Sequence, residues 1–200
     1  MKKSLLLTAA LVALTSVDAN ATELKPYVEG KISQNWVKAE YKEVGFEKST
    51  LKDNVFGGSV EVGAKINQFR VGLEGYYNDK AEDNIDDIVP CELNTRGFFL
   101  NGYFDIPLAE LKQVKPYVGV GIGYSWLKAT ADLTDWGYSK ESVKDKDWGW
   151  NVGFGIGYAL NDNIDLTLGY RYEDLGRIKD YDSETDFTNH KVSLGVRYTF

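Results

Sequence analysis

Asn189-His190-Lys191-Val192-Ser193-Leu194-Gly195-Val196-Arg197-Tyr198-Thr199-Phe200 closes the chain, and its reading decides the fold. His190, Val192, Leu194, Val196, Tyr198 and Phe200 fall on one parity; Lys191, Ser193, Gly195, Arg197 and Thr199 fall on the other. Side chains two apart leave a strand on the same side. The segment is therefore a strand with one greasy face and one polar or small face.

The same rule holds in seven more segments. Val28, Gly30 and Ile32 oppose Tyr27, Glu29, Lys31 and Ser33, and Phe56 to Ala64 opposes Gly57 to Gly63. Phe69, Val71 and Leu73 oppose Arg70, Gly72 and Glu74; Phe98, Leu100 and Phe104 face away from Phe99, Asn101, Tyr103 and Asp105. Val118, Val120, Ile122 and Tyr124 oppose Gly119, Gly121 and Gly123, and Trp150, Val152, Phe154 and Ile156 oppose Asn151, Gly153, Gly155 and Gly157. Finally, Ile164, Leu166, Leu168 and Tyr170 oppose Asp165, Thr167, Gly169 and Arg171. Eight strands predict an all-β, antiparallel up-and-down barrel. Short links (Asn67-Gln68, Asn161-Asp162-Asn163, and a modest one from Pro107 to Val114) alternate with long polar ones over 41–54, 78–94, 129–146 and 174–188. Short periplasmic turns and longer extracellular loops are the asymmetry of an outer-membrane barrel, with both chain ends on the periplasmic side.

The N-terminus fixes the route. Lys2 and Lys3 precede an apolar run from Leu5 to Val17, and Ala19-Asn20-Ala21 supplies a small-x-small cleavage pattern. Residues 1–21 read as a signal peptide and 22–200 as the barrel domain. Cleavage leaves 21 basic and 29 acidic residues, a net charge of −8. That balance disfavours nucleic acid as a partner, which needs clustered Lys and Arg. Cys91 stands alone, so no intramolecular disulfide is available.

A soluble lipid-carrier barrel would alternate too, with its apolar face inward. Here the apolar face carries Trp126, Trp148, Trp150, Phe154, Tyr170 and Tyr172, while its opposite is rich in glycine. Eight strands enclose only a narrow interior that side chains fill, so the glycine-rich face is expected inside and the bulky face in lipid. Trp36, Trp126, Trp148, Trp150 and Tyr172 are expected to form an aromatic girdle at the loop-side interface.

The final segment closely resembles the last strand of opacity (Opa) family outer-membrane proteins. So do Leu168-Gly169-Tyr170-Arg171-Tyr172-Glu173-Asp174-Leu175-Gly176, Lys25-Pro26-Tyr27-Val28 and Lys115-Pro116-Tyr117-Val118-Gly119. The similarity covers the strands and not the long loops. It implies a cell outer-membrane location and a small barrel akin to adhesins, often carrying porin family names. It also implies that Tyr198 and Phe200 are read by the outer-membrane insertion machinery, and that variable loops bind host surfaces.

Ionisable residues of the polar parity (Glu29, Lys31, Glu61, Arg70, Glu74, Arg171, Glu173, Lys191 and Arg197) carry both signs in similar number. Unpaired buried charge is costly, so they read as a salt-bridge network plugging the barrel rather than an ion path. His190 and Ser193 have opposite parity and cannot activate one another, so no enzyme is expected. One histidine and one cysteine supply no zinc site. The carboxylates of 78–94 fit no defined calcium loop and read as a solvated acidic stretch. No cofactor is expected, and a monomer is. Two functions remain: a closed anchor whose loops bind a host or surface macromolecule, or a small-solute pore.

Overall fold

The computed structural model describes the backbone of residues 24–43, 49–85, 89–108, 113–131, 141–180 and 183–200, with side chains over 24–38, 53–79, 94–108, 113–126, 146–176 and 186–200. Eight strands appear in chain order: β1 (Leu24–Glu43), β2 (Ser49–Ile66), β3 (Phe69–Ile85), β4 (Val89–Asp105), β5 (Val114–Ala131), β6 (Glu141–Ala159), β7 (Ile164–Asp180) and β8 (Ser183–Thr199). Each pairs antiparallel with the next, and β1 pairs with β8, which closes the sheet.

Closure has a definite stagger. Followed from Val28, one paired row runs through Val62, Leu73, Leu100, Ile122, Trp150, Asp174 and Thr188. It re-enters β1 at Lys38, ten residues further along. With about 3.3 Å of rise per residue and about 4.8 Å between strands, that offset tilts the strands by roughly 40°. A row therefore climbs toward the hairpin end as it passes from β1 to β8.

At the other end the connections are tight. Asn67 takes φ 53°, a left-handed conformation that asparagine tolerates, in the turn joining β2 to β3. Asn161 Oδ1 accepts from the backbone N of Asn163 and Ile164 at 2.9 and 2.8 Å, closing the turn before β7. Asn163 Nδ2 donates to the Thr199 carbonyl at 2.8 Å, and the Phe200 N donates to the Pro26 carbonyl at 2.9 Å. The Phe200 bond fastens the seam between first and last strand at its lower end, and the Asn163 bond ties the β6–β7 turn to β8.

The long loops expected from the sequence need correction. Strands of 17 to 20 residues run well into 41–54, 78–94, 129–146 and 174–188, although about 9–11 residues cross a membrane. Alternation is imposed where one face of a strand meets lipid, and that demand ends above the bilayer. The pattern fades there while backbone pairing continues. Cys91 accordingly lies in β4, opposite Asp83 and Ala131, rather than in a loop. Two irregularities mark the upper hairpins, between Asn78 and Ala81 and between Asp174 and Gly176. Gly176 has φ +98°, and a Cβ there would strike Asp147.

Candidate functional site

The inward parity delivers the ionisable residues into the barrel, where they stack in layers. Lowest are two carboxylates, each held by two cations. Asp105 takes Lys65 Nζ at 2.6 Å and Arg70 Nε at 2.8 Å. Asp165 takes Lys115 Nζ at 2.7 Å and Arg197 Nη2 at 2.8 Å. Thr167 Oγ1 donates to Glu29 at 2.6 Å. The Arg70 guanidinium lies over the Tyr103 ring, 4.4 Å from its centroid, and within 4.9 Å of that of Tyr117.

Above them Lys31 bridges Glu61 and Glu74 at 3.0 and 3.3 Å, and Arg171 grips Glu74 with both terminal nitrogens at 2.7 and 2.9 Å. Tyr27 and Tyr103 donate to Glu61 at 2.6 and 2.7 Å, and Asn101 donates to both glutamates. Arg171 and Lys191 then meet Glu173 at 2.6 and 2.8 Å, while Asn189 donates to Glu173 and to Asn35. Each carboxylate thus has cationic or hydrogen-bonding partners, which offsets the penalty of burying it.

An apolar layer caps this network toward the hairpins. Tyr76 stacks on Phe99 at 5.5 Å between centroids, and buried Leu175 and Phe187 complete the cluster. The described interior holds a cavity of about 30 Å³ beside Lys31, Glu74, Asn151 and Lys191, room for roughly one water.

The sequence reading missed several of these parts. Asp105 and Lys115 belong to the ion pairs. Rings of the polar parity, Tyr27, Phe99 and Tyr103 among them, share the interior with the glycines expected there. The two observations fit together, because inward glycines face inward rings: Gly63 meets Tyr27, Gly97 meets Tyr76, Gly119 meets Tyr103, and Gly123 meets Phe99. Which glycine serves which ring depends on register across strands, and a single strand's alternation does not reveal it.

The outer face is an apolar belt. Ile32, Phe56 and Trp148 are each more than 60% exposed, with Val60, Val120, Phe154 and Val196 exposed between. Trp36, Trp148 and Trp150 are exposed near its hairpin-side rim. Trp126 and Tyr172 are half-buried among rings: Trp126 against Tyr124 at 5.3 Å, and Tyr172 against Trp150 at 5.6 Å. At the turn side Phe69 packs on Phe104, and Tyr198 on Phe200 at 4.9 Å, both of the latter exposed. His190 lies outside, its Nδ1 2.7 Å from the Tyr170 hydroxyl, while Ser193 lines the interior cavity. Residues 1–21, Phe46, Trp136, Tyr138 and Tyr181 lie outside the described residues. Asp79, Glu82, Asp83 and Glu92 fall in β3 and β4; among the described residues no group of His, Cys, Asp or Glu could hold a metal ion.

A closed barrel with an ion-paired interior and an apolar, ring-bordered exterior is an integral outer-membrane β-barrel. The chain belongs to the family described as outer membrane protein beta-barrel domain, which matches residues 5–200. It is similar to the outer membrane protein PagN of Salmonella typhimurium, 25% identical over 231 residues covering 95% of each chain. It is also similar to the opacity protein opA67 of Neisseria gonorrhoeae, 28% identical over 153 residues covering 64% of this chain and 62% of that one. Among solved structures, the crystal structure of Neisserial surface protein A matches with a TM-score of 0.62 at 22% identity. That match covers 88% of this chain and 97% of the other, and is a likeness of fold. The protein is located in the outer membrane.

Proposed function

We propose that the barrel is a closed anchor and that its extracellular hairpins mediate attachment to a host or surface macromolecule. The observation that carries this reading is the filled interior: among the described residues, ion pairs lie under the Tyr76–Phe99–Leu175–Phe187 layer, and the cavity beside Lys31 and Glu74 holds about 30 Å³. Eight strands enclose a space that side chains fill, whereas aqueous channels use about 16. Similarity to opacity proteins supports the attachment half. In the same reading residues 1–21 direct export, Tyr198 and Phe200 address the insertion machinery, the five girdle residues anchor at the interface, and the protein acts as a monomer.

The test trims all four hairpins to tight turns just above the aromatic rim. Membrane insertion should persist, while adherence of an expressing, otherwise non-adherent bacterium to cultured epithelial cells should be lost. Purified full-length protein should be silent in planar bilayers. Large reproducible conductance that survives trimming would replace the anchor with the pore.

A further inference from the structure

Several inward glycines make room for rings, but four outward ones have no such duty, and three of these sit together. Gly30, Gly58 and Gly75 are neighbours on the wall, because Gly30 and Gly75 both pair with Val60, and Gly58 pairs with Ile32. A Cβ on Gly30 or Gly75 would meet nothing within 4 Å, so the fold does not require glycine at either place. Glycine in a strand interior sacrifices stability and often marks close approach of another molecule. Together they hollow the outer wall. The depression holds about 1160 Å³, and Ile32, Val60, Leu194 and Val196 flank it.

One end of this apolar hollow is charged. Arg96 lines it and is exposed on the outer face of β4, between Tyr77 on β3 and Trp126 on β5. It makes no ion pair with any described residue. The Tyr77 ring is fixed at the rim, its hydroxyl accepting from Asn94 Nδ2 at 2.9 Å. Arg96 shares a row with Tyr77, Gly58 and Ile32, and that row descends from β4 to β1 because of the stagger. From β4 to Val196 on β8 the hollow crosses four strand spacings, roughly 19 Å. One leaflet of hydrocarbon is about 15 Å thick, half the core.

We infer that this hollow seats one phosphate-bearing lipid of the outer leaflet. An acyl chain lies over Gly75, Gly58 and Gly30, and the phosphate pairs with Arg96 between Tyr77 and Trp126. A guanidinium presents a fork that matches phosphate oxygens, and it gains strength at the dry edge of a membrane. The aromatic neighbours hold the headgroup level, as amphipathic rings do at interfaces.

Native mass spectrometry of refolded full-length protein, released from neutral detergent micelles, tests this. Three probes are added separately: dipalmitoyl phosphatidylglycerol, dipalmitoylglycerol and inorganic phosphate. Only the phospholipid should be retained, as a single adduct. Arg96→Gln and Gly75→Leu should each weaken retention roughly tenfold or more. Gly102→Leu should match the wild type, since its outward space is equally open but lies outside the hollow. Circular dichroism confirms that each variant is folded. No adduct on the wild type, unchanged retention in either Arg96→Gln or Gly75→Leu, or equal retention of the uncharged diglyceride would overturn the proposal. So would a dimer peak that Gly75→Leu removes, which would make a second copy of the chain the occupant.

Discussion

Gly169 shows how finely single residues are matched inside the barrel. A Cβ added there would come within 2.8 Å of the Tyr117 hydroxyl and 3.2 Å of Ser193 Oγ, with the nearest backbone atom at 3.8 Å. The obstacle is therefore mainly one oxygen atom. Gly169→Ala should destabilise the barrel by about 1–3 kcal/mol, the usual range for overpacking a filled interior. Tyr117→Phe removes the oxygen, and the double variant should recover most of that loss. Urea unfolding in lipid vesicles, read as a double-mutant cycle, measures the recovery. A double variant no better than Gly169→Ala would place the constraint in the backbone instead. Glu74 sits at the opposite extreme, where the fit is electrostatic. It receives Arg171 through two hydrogen bonds and Lys31 as well, so Glu74→Gln would leave two buried cations short of charge. Lys31 keeps Glu61 and Arg171 keeps Glu173, so the loss should be about 1.5–3 kcal/mol, the range for hydrogen bonds to charged groups, read by the same urea unfolding.

Along a strand, adjacent positions live in different solvents. Val196 is half exposed to the membrane, while Gly195 is buried, and a Cβ there would press on Thr167 Oγ1, the Gly30 carbonyl and Lys31 Cγ. Val196→Leu should change stability by about 0.5 kcal/mol or less, as an ordinary surface substitution does. Val196→Lys should cost about 2 kcal/mol or more if near the midplane. Gly195→Leu should prevent closure altogether, seen as failure to fold into vesicles. If Val196→Leu were the damaging change and Gly195→Leu the mild one, the faces would have to be exchanged. This two-solvent contrast explains what the sequence made legible. From Pro26 to Phe200 the parity of each strand was readable, because lipid and interior impose opposite demands every second residue. Strand ends are not readable, since β1 to Glu43 and β3 to Ile85 continue beyond the length over which lipid imposes alternation. Interior partners were half readable. Glu74 and Arg171 could be assigned to one compartment, but they are 97 residues apart, and only the stagger of the closed sheet brings them together. Asp105 was seen on the inner parity without its role, because its cations come from β2 and β3.

Over the whole molecule, the tilt, the strand number and the filling belong to one solution. A ten-residue stagger over eight strands sets a narrow bore, and the bore dictates glycine opposite rings and charge opposite charge. No single layer seals it: ion pairs, with the Tyr103 and Tyr117 rings beside Arg70, occupy the lower and middle levels, and an apolar cluster the upper one. The seam between β1 and β8 has a further consequence, which concerns time. Tyr27 pairs with Thr199, so the first strand made waits for the last. At about 5–20 residues per second, on the order of ten seconds or more pass before that partner exists. Throughout that interval the chain carries an apolar face on every finished strand and an edge with nothing to pair with. A chain lacking residues 183–200 would remain in that condition permanently. It should sediment as aggregate or be degraded in the periplasm rather than enter the membrane, which fractionation of expressing cells would show. A full-length chain escapes that condition only if it stays unfolded until its last strand is made, so its success in the cell depends on timing before it depends on stability.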